Sequence, residues 1–284
     1  MACTAFVFGG GGLLGACEAG MALALLEHGV APDLVVGTSV GAINGAAVAA
    51  DSSPAGARRL VEMWRQITID DLLAGTVLGR LGRLARYGTH LHANEPLRTL
   101  LTQTLPVTRF DELAVRFECV AASIERAEEH WFTDGELVSA VLASAALPGV
   151  LPPVEIDGEH FLDGGLVNSI PIARALACGA GVVYVLHVGR VEEPLVAPQR
   201  PWDVAFVAFE IAGVIASTPT FAPCRRTSRS MSCPAVRTPS AQPRGPICAT
   251  ATYDASTAES NAPTKRRRVT SRESRAARDR RPHC

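Results

Sequence analysis

Two strand–glycine–helix units follow one another within the first fifty residues, and they constrain the fold more than any other feature of the chain. Ala5-Phe-Val-Phe is a short apolar run that ends in four glycines at residues 9–12. Residues 15–28 then read as a helix, with Gly29 placed to cap its C-terminus. Asp33-Leu-Val-Val repeats the strand pattern, turns at Gly37-Thr-Ser-Val-Gly41, and leads into a second helix over residues 40–50. Strand, glycine turn, helix, twice in succession, predicts an α/β fold built on a parallel sheet.

The rest of the first 216 residues fits that frame. Residues 54–104 read as mostly helical, with Asn94 as an N-cap before Glu95-Pro-Leu-Arg. Within them Leu73, Val77, Leu81 and Leu84 fall at helical spacing beside Arg80, Arg83 and Arg86. Such a basic amphipathic helix either packs over the core as a cap or lies on a membrane surface. Residues 116–124 and 128–133 read as strands, 135–153 as a helix broken at Pro148, and 159–188 as strand, glycine turn, helix and final strand. Residues 202–216 read as a last apolar helix, too short for a membrane span and carrying Glu210. The N-terminus lacks the basic and long apolar regions of a signal peptide, so a cytoplasmic location is expected.

Composition changes abruptly after Ala216. Residues 217–284 hold 14 Lys+Arg against 4 Asp+Glu, whereas residues 1–216 hold 13 against 24, so a segment of net charge +10 follows one of −11. Eight prolines, 18 Ser/Thr and two aromatics in that segment cannot bury enough surface to offset ordering entropy, and disorder is expected there. Its Arg/Pro/Ser/Thr-rich mixture also resembles out-of-frame translation of a GC-rich gene. The chain thus divides into a folded domain over 1–216 and a basic tail over 217–284. Lys265-Arg-Arg-Arg is too short a basic run to imply a specific nucleic-acid partner. Cys3, Cys17, Cys119 and Cys178 lie in apolar surroundings and read as buried free thiols, and no His/Cys grouping has zinc-ligand spacing. No metal or cofactor is expected.

Three short stretches carry chemistry. Gly37-Thr-Ser39-Val-Gly41 sits between a strand and a helix, the setting a nucleophile elbow requires, although the same pentapeptide also occurs as an ordinary turn. Gly10, Gly11, Gly12, Leu13 and Gly15 lie at the first strand–helix junction, where backbone amides can converge on an anion. A dinucleotide site is the competing reading, but its acidic residue should follow the second strand, and Asp33 precedes it. A P-loop is excluded because no Gly-Lys-Ser/Thr follows. The third stretch is Asp163-Gly164-Gly165, a carboxylate on a sharp turn at a strand end. Partial burial would raise its pKa enough to accept a serine proton directly. The histidines that a triad would use, His160, His187 and His283, lack a triad loop setting.

In this order the three stretches resemble the patatin-like phospholipase family over about residues 5–190, with Gly-Gly-Gly-Gly-Leu-Leu-Gly as its oxyanion motif, Gly-Thr-Ser-Val-Gly as its elbow and Asp-Gly-Gly as its aspartate motif. The resemblance implies a three-layer α/β sandwich with a central, mostly parallel sheet. It also implies a Ser39–Asp163 dyad that cleaves carboxylic esters of lipids or phospholipids through an acyl-enzyme. Gly10, Gly11, Gly12, Leu13 and Gly15 would form the oxyanion loop, Gly37 and Gly41 the elbow, and Gly164 and Gly165 the dyad loop. A lipid or acyl-ester substrate and peripheral membrane contact follow from the same resemblance. Two departures stand out: Leu14 replaces the basic residue many members carry there, and the chain passes into its basic tail where members continue as folded helix and strand. A catalytically impaired relative, or a non-catalytic lipid- or nucleotide-binding module, is the alternative reading.

Overall fold

The computed structural model of the chain describes residues 3–66 and 92–188, the strand Ala249–Asp254, and single positions at 197, 207 and 211. In chain order the elements are β1 (Cys3–Phe8), α1 (Gly15–Glu27), β2 (Leu34–Thr38), α2 (Val40–Ala50), α3 (Pro54–Gln66) and α4 (Glu95–Thr104). They continue with β3 (Arg116–Ser123), β4 (Glu128–Phe132), α5 (Leu137–Ser144), β5 (Val154–Ile156), β6 (Glu159–Asp163), α6 (Ile172–Ala177), β7 (Ala180–His187) and β8 (Ala249–Asp254). The expected amphipathic helix at residues 73–86 and the apolar helix at 202–216 lie outside the described residues, apart from positions 207 and 211.

One eight-stranded mixed sheet runs β5-β6-β3-β2-β1-β7-β8, with β4 also paired to β3. Its centre, β3-β2-β1-β7, is parallel, and the strands that flank it are antiparallel. Alternation along the central strands sends Phe6, Phe8 and Val35 to one face, under α1, α2, α3, α4 and α5, and Ala5, Val7, Leu34 and Val36 to the other, against α6. Both faces being covered explains why β1 and β2 read as unbroken apolar runs. Helices, sheet and helix thus form the three layers expected.

The register of β3 determines where the chemistry sits. β4 follows one edge of β3 over Cys119–Ser123, so the opposite edge is left to two other strands. β2 occupies it up to the pair Thr38–Val120, and β6 takes it over, from the opposite direction, beginning at the pair Asp163–Ala121. β2 and β6 therefore meet head-on along one edge, with residue 39 leaving one strand where residue 163 ends the other.

Several local expectations change. α5 stops at Ser144, four residues before Pro148, and its N-terminus is capped by the Glu136 carboxylate, which accepts from the Ser139 amide at 2.6 Å. Asn94 occupies the N-cap position of α4 with α-region backbone, so its side chain makes no cap bond. β5 and β6 form a hairpin, of which the sequence reading gave only the second strand. Asp157 and Gly158 both adopt positive φ, 53° and 81°, as a two-residue primed turn demands. No strand was expected beyond Ala216, yet Ala249–Asp254 pairs antiparallel with β7. Of the four thiols expected to be buried only Cys119 is; Cys3, Cys17 and Cys178 are half-buried at the sheet and helix margins.

Candidate active site

β2 delivers Ser39 and α2 begins at the next residue, so the chain reverses direction across a single serine. Ser39 adopts φ 56° and ψ −126°, a conformation that carries strain of about 1–3 kcal/mol for a residue with a Cβ. Close approach of the flanking glycines sustains it. A Cβ on Gly37 would lie 2.5 Å from the Gly41 carbonyl oxygen, and one on Gly41 would lie 2.5 Å from the carbonyl oxygens of both Phe8 and Gly9. α2 thus rests directly on the ends of β1 and β2, and no larger side chain fits at either point. The Ser39 amide donates to Ser144 Oγ at 3.0 Å, which ties the elbow to the last residue of α5.

Asp163 is fully buried at the end of β6, and its two oxygens are used separately. Oδ2 accepts the Ser39 hydroxyl at 2.6 Å, and Oδ1 accepts the Gly165 amide at 2.9 Å. Burial pushes the carboxyl up to about 7, against the smaller opposing pull of the bonds from Ser39 and Gly165. A carboxylate with that affinity can take a proton near neutral pH. Gly164 lets the turn lie against β3, since a Cβ there would sit 2.1 Å from the Val120 carbonyl oxygen.

The glycine loop occupies the neighbouring strand end. Residues 12–14 form a 3-10 turn that runs into α1, and the first amides of such a turn have no partner within it. Gly11, Gly12 and Leu13 supply those amides. Gly10 was expected in the same loop, and its amide is bonded to the Ser169 carbonyl oxygen at 2.8 Å. It provides clearance, since a Cβ there would lie 3.2 Å from Ser169 Oγ and 3.8 Å from Ser39 Cβ. Gly15 begins α1 and is required for packing, because a Cβ would meet Val40 at 2.4 Å and the Trp64 ring at 2.6 Å. Leu14 projects from this loop and is 40% exposed.

Of the three triad candidates, His160 and His187 are described, and neither takes part in the Ser39–Asp163 bond. His160 is half-exposed on the opposite side of β6 and its Nδ1 pairs with Glu125 at 2.7 Å. His187 lies beside Gly9, where burial lowers its pKa to about 4. His283 lies outside the described residues. Among the described residues no three His, Cys, Asp or Glu are grouped to hold a metal ion, and no helix is long and apolar enough to cross a membrane.

Sequence reading missed the strap after the Asp163 turn. The Asn168 carbonyl accepts from Thr38 Oγ1 at 2.9 Å while the Ser169 carbonyl accepts from Gly10, so adjacent peptides join the elbow strand to the glycine loop. It also missed Ser144, whose only signal was a hydroxyl at the end of a largely apolar helix.

Residues 6–176 match the patatin-like phospholipase family. The chain is 28% identical over 194 residues to lysophospholipase nte1 of Aspergillus terreus, covering 66% of this chain and 12% of that protein. It is 30% identical over 191 residues to patatin-like phospholipase domain-containing protein 7 of Mus musculus, covering 66% of this chain and 14% of that protein. The chain therefore spans about one eighth of the length of these relatives. Among solved structures, VipD from Legionella pneumophila superposes with a TM-score of 0.46 at 12% identity, covering 77% of this chain and 67% of that one. The family match extends from β1 through most of α6 and includes the elbow, the glycine loop and the Asp163 turn, and the chain belongs to the patatin-like phospholipase family.

Proposed function

We propose that the chain is a serine lipid acyl hydrolase that uses Ser39 as nucleophile and Asp163 as its base. The observation that carries this reading is the 2.6 Å bond from the Ser39 hydroxyl to a fully buried carboxylate whose pKa is raised to about 7. In the first step Ser39 Oγ attacks the ester carbonyl carbon as Asp163 Oδ2 takes its proton. The carbonyl oxygen becomes an oxyanion against the amides of Gly11, Gly12 and Leu13. One such donor supports about 3 kcal/mol of transition-state stabilisation. Collapse breaks the ester C–O bond, and Asp163 returns the proton to the departing alcohol. Water then attacks the acyl-serine as Asp163 takes a proton from it, and collapse of the second tetrahedral intermediate breaks the bond to Ser39 Oγ, which takes that proton back from Asp163 as the fatty acid leaves.

Lipid esters are the substrate class, in line with relatives named lysophospholipases. Substrates of that kind reside in membranes, so the domain works at a lipid surface. Gly10 and Gly15 shape the oxyanion loop, Gly37 and Gly41 the elbow, and Gly164 and Gly165 the aspartate turn. The 217–284 segment supplies none of these residues, and its β8 strand pairs with β7 at the sheet edge.

The test is hydrolysis of a lysophospholipid and of a short-chain p-nitrophenyl ester by wild type, Ser39→Ala and Asp163→Asn, with fluorophosphonate labelling of Ser39. Loss of activity in both variants, with circular dichroism unchanged, is expected. Full activity in Asp163→Asn would overturn the dyad. A folded wild type that neither hydrolyses nor labels would point to a binding module.

A further inference from the structure

Glu18 lies on the first turn of α1, directly beyond the glycine loop, and its side chain is completely buried. Among the described residues no cation pairs with it. Its neighbour is Asn44, in the middle of α2 and also fully buried. Trp64 Nε1, which can only donate, reaches Asn44 Oδ1 at 2.7 Å and so fixes which way the amide points. Asn44 Nδ2 must then face the other way, where it donates to the Gly15 carbonyl oxygen and to Glu18 Oε2, both at 2.9 Å. Among the described residues Glu18 Oε1 has no hydrogen-bond partner, and it lies 3.9 Å from where a Cβ of Gly11 would be, a point that Val188 approaches more closely still. The network joins three helices under the loop, with α3 supplying Trp64, α2 supplying Asn44 and α1 supplying Glu18.

An ionised carboxylate has no adequate compensation here, because one neutral amide cannot replace the water it has lost. Burial accordingly drives its pKa well above the ordinary glutamate value, opposed only by the Asn44 bond. An anion at this position would also work against the reaction. It would sit in the positive end of the α1 dipole, behind the amides that have to receive a developing negative charge.

We propose that Glu18 is a positioning residue for the oxyanion loop, an uncharged acid clamped by Asn44 that backs Gly11 beside Val188 and links the loop to the nucleophile helix. This rests on the hydrolase reading above. It predicts that shape and neutrality matter at residue 18, and that negative charge does not. Glu18→Gln keeps both, and its kcat for p-nitrophenyl ester hydrolysis stays within about threefold of wild type. Glu18→Ala removes the backing and the clamp, and kcat falls by about tenfold or more with KM within about twofold, because the lost interaction acts on the transition state. Fluorophosphonate labelling of Ser39 slows in parallel. Full kcat in a folded Glu18→Ala would overturn the proposal, and so would a Glu18→Gln as impaired as Glu18→Ala.

A second measurement needs no catalysis, so it separates failure here from failure of the hydrolase reading. The infrared difference spectrum between wild type carrying isotope-labelled glutamate and Glu18→Gln, recorded at pH 8, contains a protonated-carboxyl stretch if Glu18 is neutral. A spectrum with only carboxylate bands overturns the proposal even if Glu18→Ala does not fold.

Discussion

Glu118 and Glu18 are both completely buried, one on each side of the same sheet, in opposite surroundings. Glu118 on β3 lies beneath α6 and is held by two guanidinium groups, Arg116 and Arg174, each at 2.5 Å, with Arg174 also stacked over Trp131. Glu18 lies between α1 and α2 with one amide donor and no cation. The first side of the molecule compensates a buried charge, and the second excludes one. Asp163 stands between these extremes, with two neutral donors and a carboxyl that titrates near 7. A carboxylate is fixed as a structural ion by arginines and fixed as a neutral acid by isolation. It is free to exchange a proton only where partial compensation balances burial.

The largest test of that contrast is Asp163→Asn. The amide keeps the shape and can still bond to Ser39 and Gly165, but it cannot take a proton. Activity is expected to fall by about 10⁴-fold, the scale seen when a catalytic group of this kind is removed. Stability should move the other way. A buried carboxyl whose folded pKa is raised from 3.8 to about 7 binds more protons when folded than when unfolded throughout that interval. Its contribution is therefore intact below pH 4 and is lost as pH rises through 7, by about 4 kcal/mol at most. Asp163→Asn should melt above wild type at pH 8, with the difference closing toward pH 4. A variant that is less stable at pH 8 would contradict the burial account.

On the other face, Glu118→Gln should destabilise the fold at neutral pH, by about 1–3 kcal/mol in urea unfolding, because it strips Arg174 and Arg116 of their counter-charge. Both arginines are partly exposed and recover some hydration, which keeps the effect below that of a fully buried pair. Ester hydrolysis should change little. If Glu118→Gln leaves the urea unfolding unchanged, the two faces do not differ as their partners imply.

The parts of this arrangement that were legible in the sequence are those written locally. Short apolar runs, glycine turns and the helices after them announced β1, β2, α1 and α2, and the Asp163 turn announced a carboxylate at a strand end. What joins Asp163 to Ser39 across 124 residues is the shared edge of β3, and sheet register leaves no local trace. The β5–β6 hairpin could have been found, since Asp-Gly between apolar pairs is a strong turn signal. The inner bonds of Glu18, Asn44, Trp64 and Ser144 could not be assigned. A polar residue in an apolar helix implies a buried partner without saying which one.

Ser144 offers a smaller test. Its Oγ is the acceptor for the Ser39 amide, so Ser144→Ala leaves a buried N–H unpaired beside a strained φ. A loss of about 1–2 kcal/mol in stability is expected, together with a fall of about tenfold in kcat as the elbow relaxes. Unchanged kcat with lowered stability would mean that the glycine contacts alone hold the elbow.

The gentlest test changes no residue. If Asp163 is the base, only its ionised form accepts the Ser39 proton, so kcat/KM should rise with pH to a plateau, with a midpoint near 7. Below that midpoint each unit of pH should lower the rate about tenfold. An imidazole base would give a similar limb, but His187, lowered to about 4, would put the midpoint far below 7. The profile of fluorophosphonate labelling should follow the same limb, since it needs the same proton transfer and no acyl-enzyme hydrolysis. A labelling rate flat between pH 5 and 8 would mean that the Ser39 proton goes somewhere other than the buried carboxylate, whatever the geometry of the bond between them.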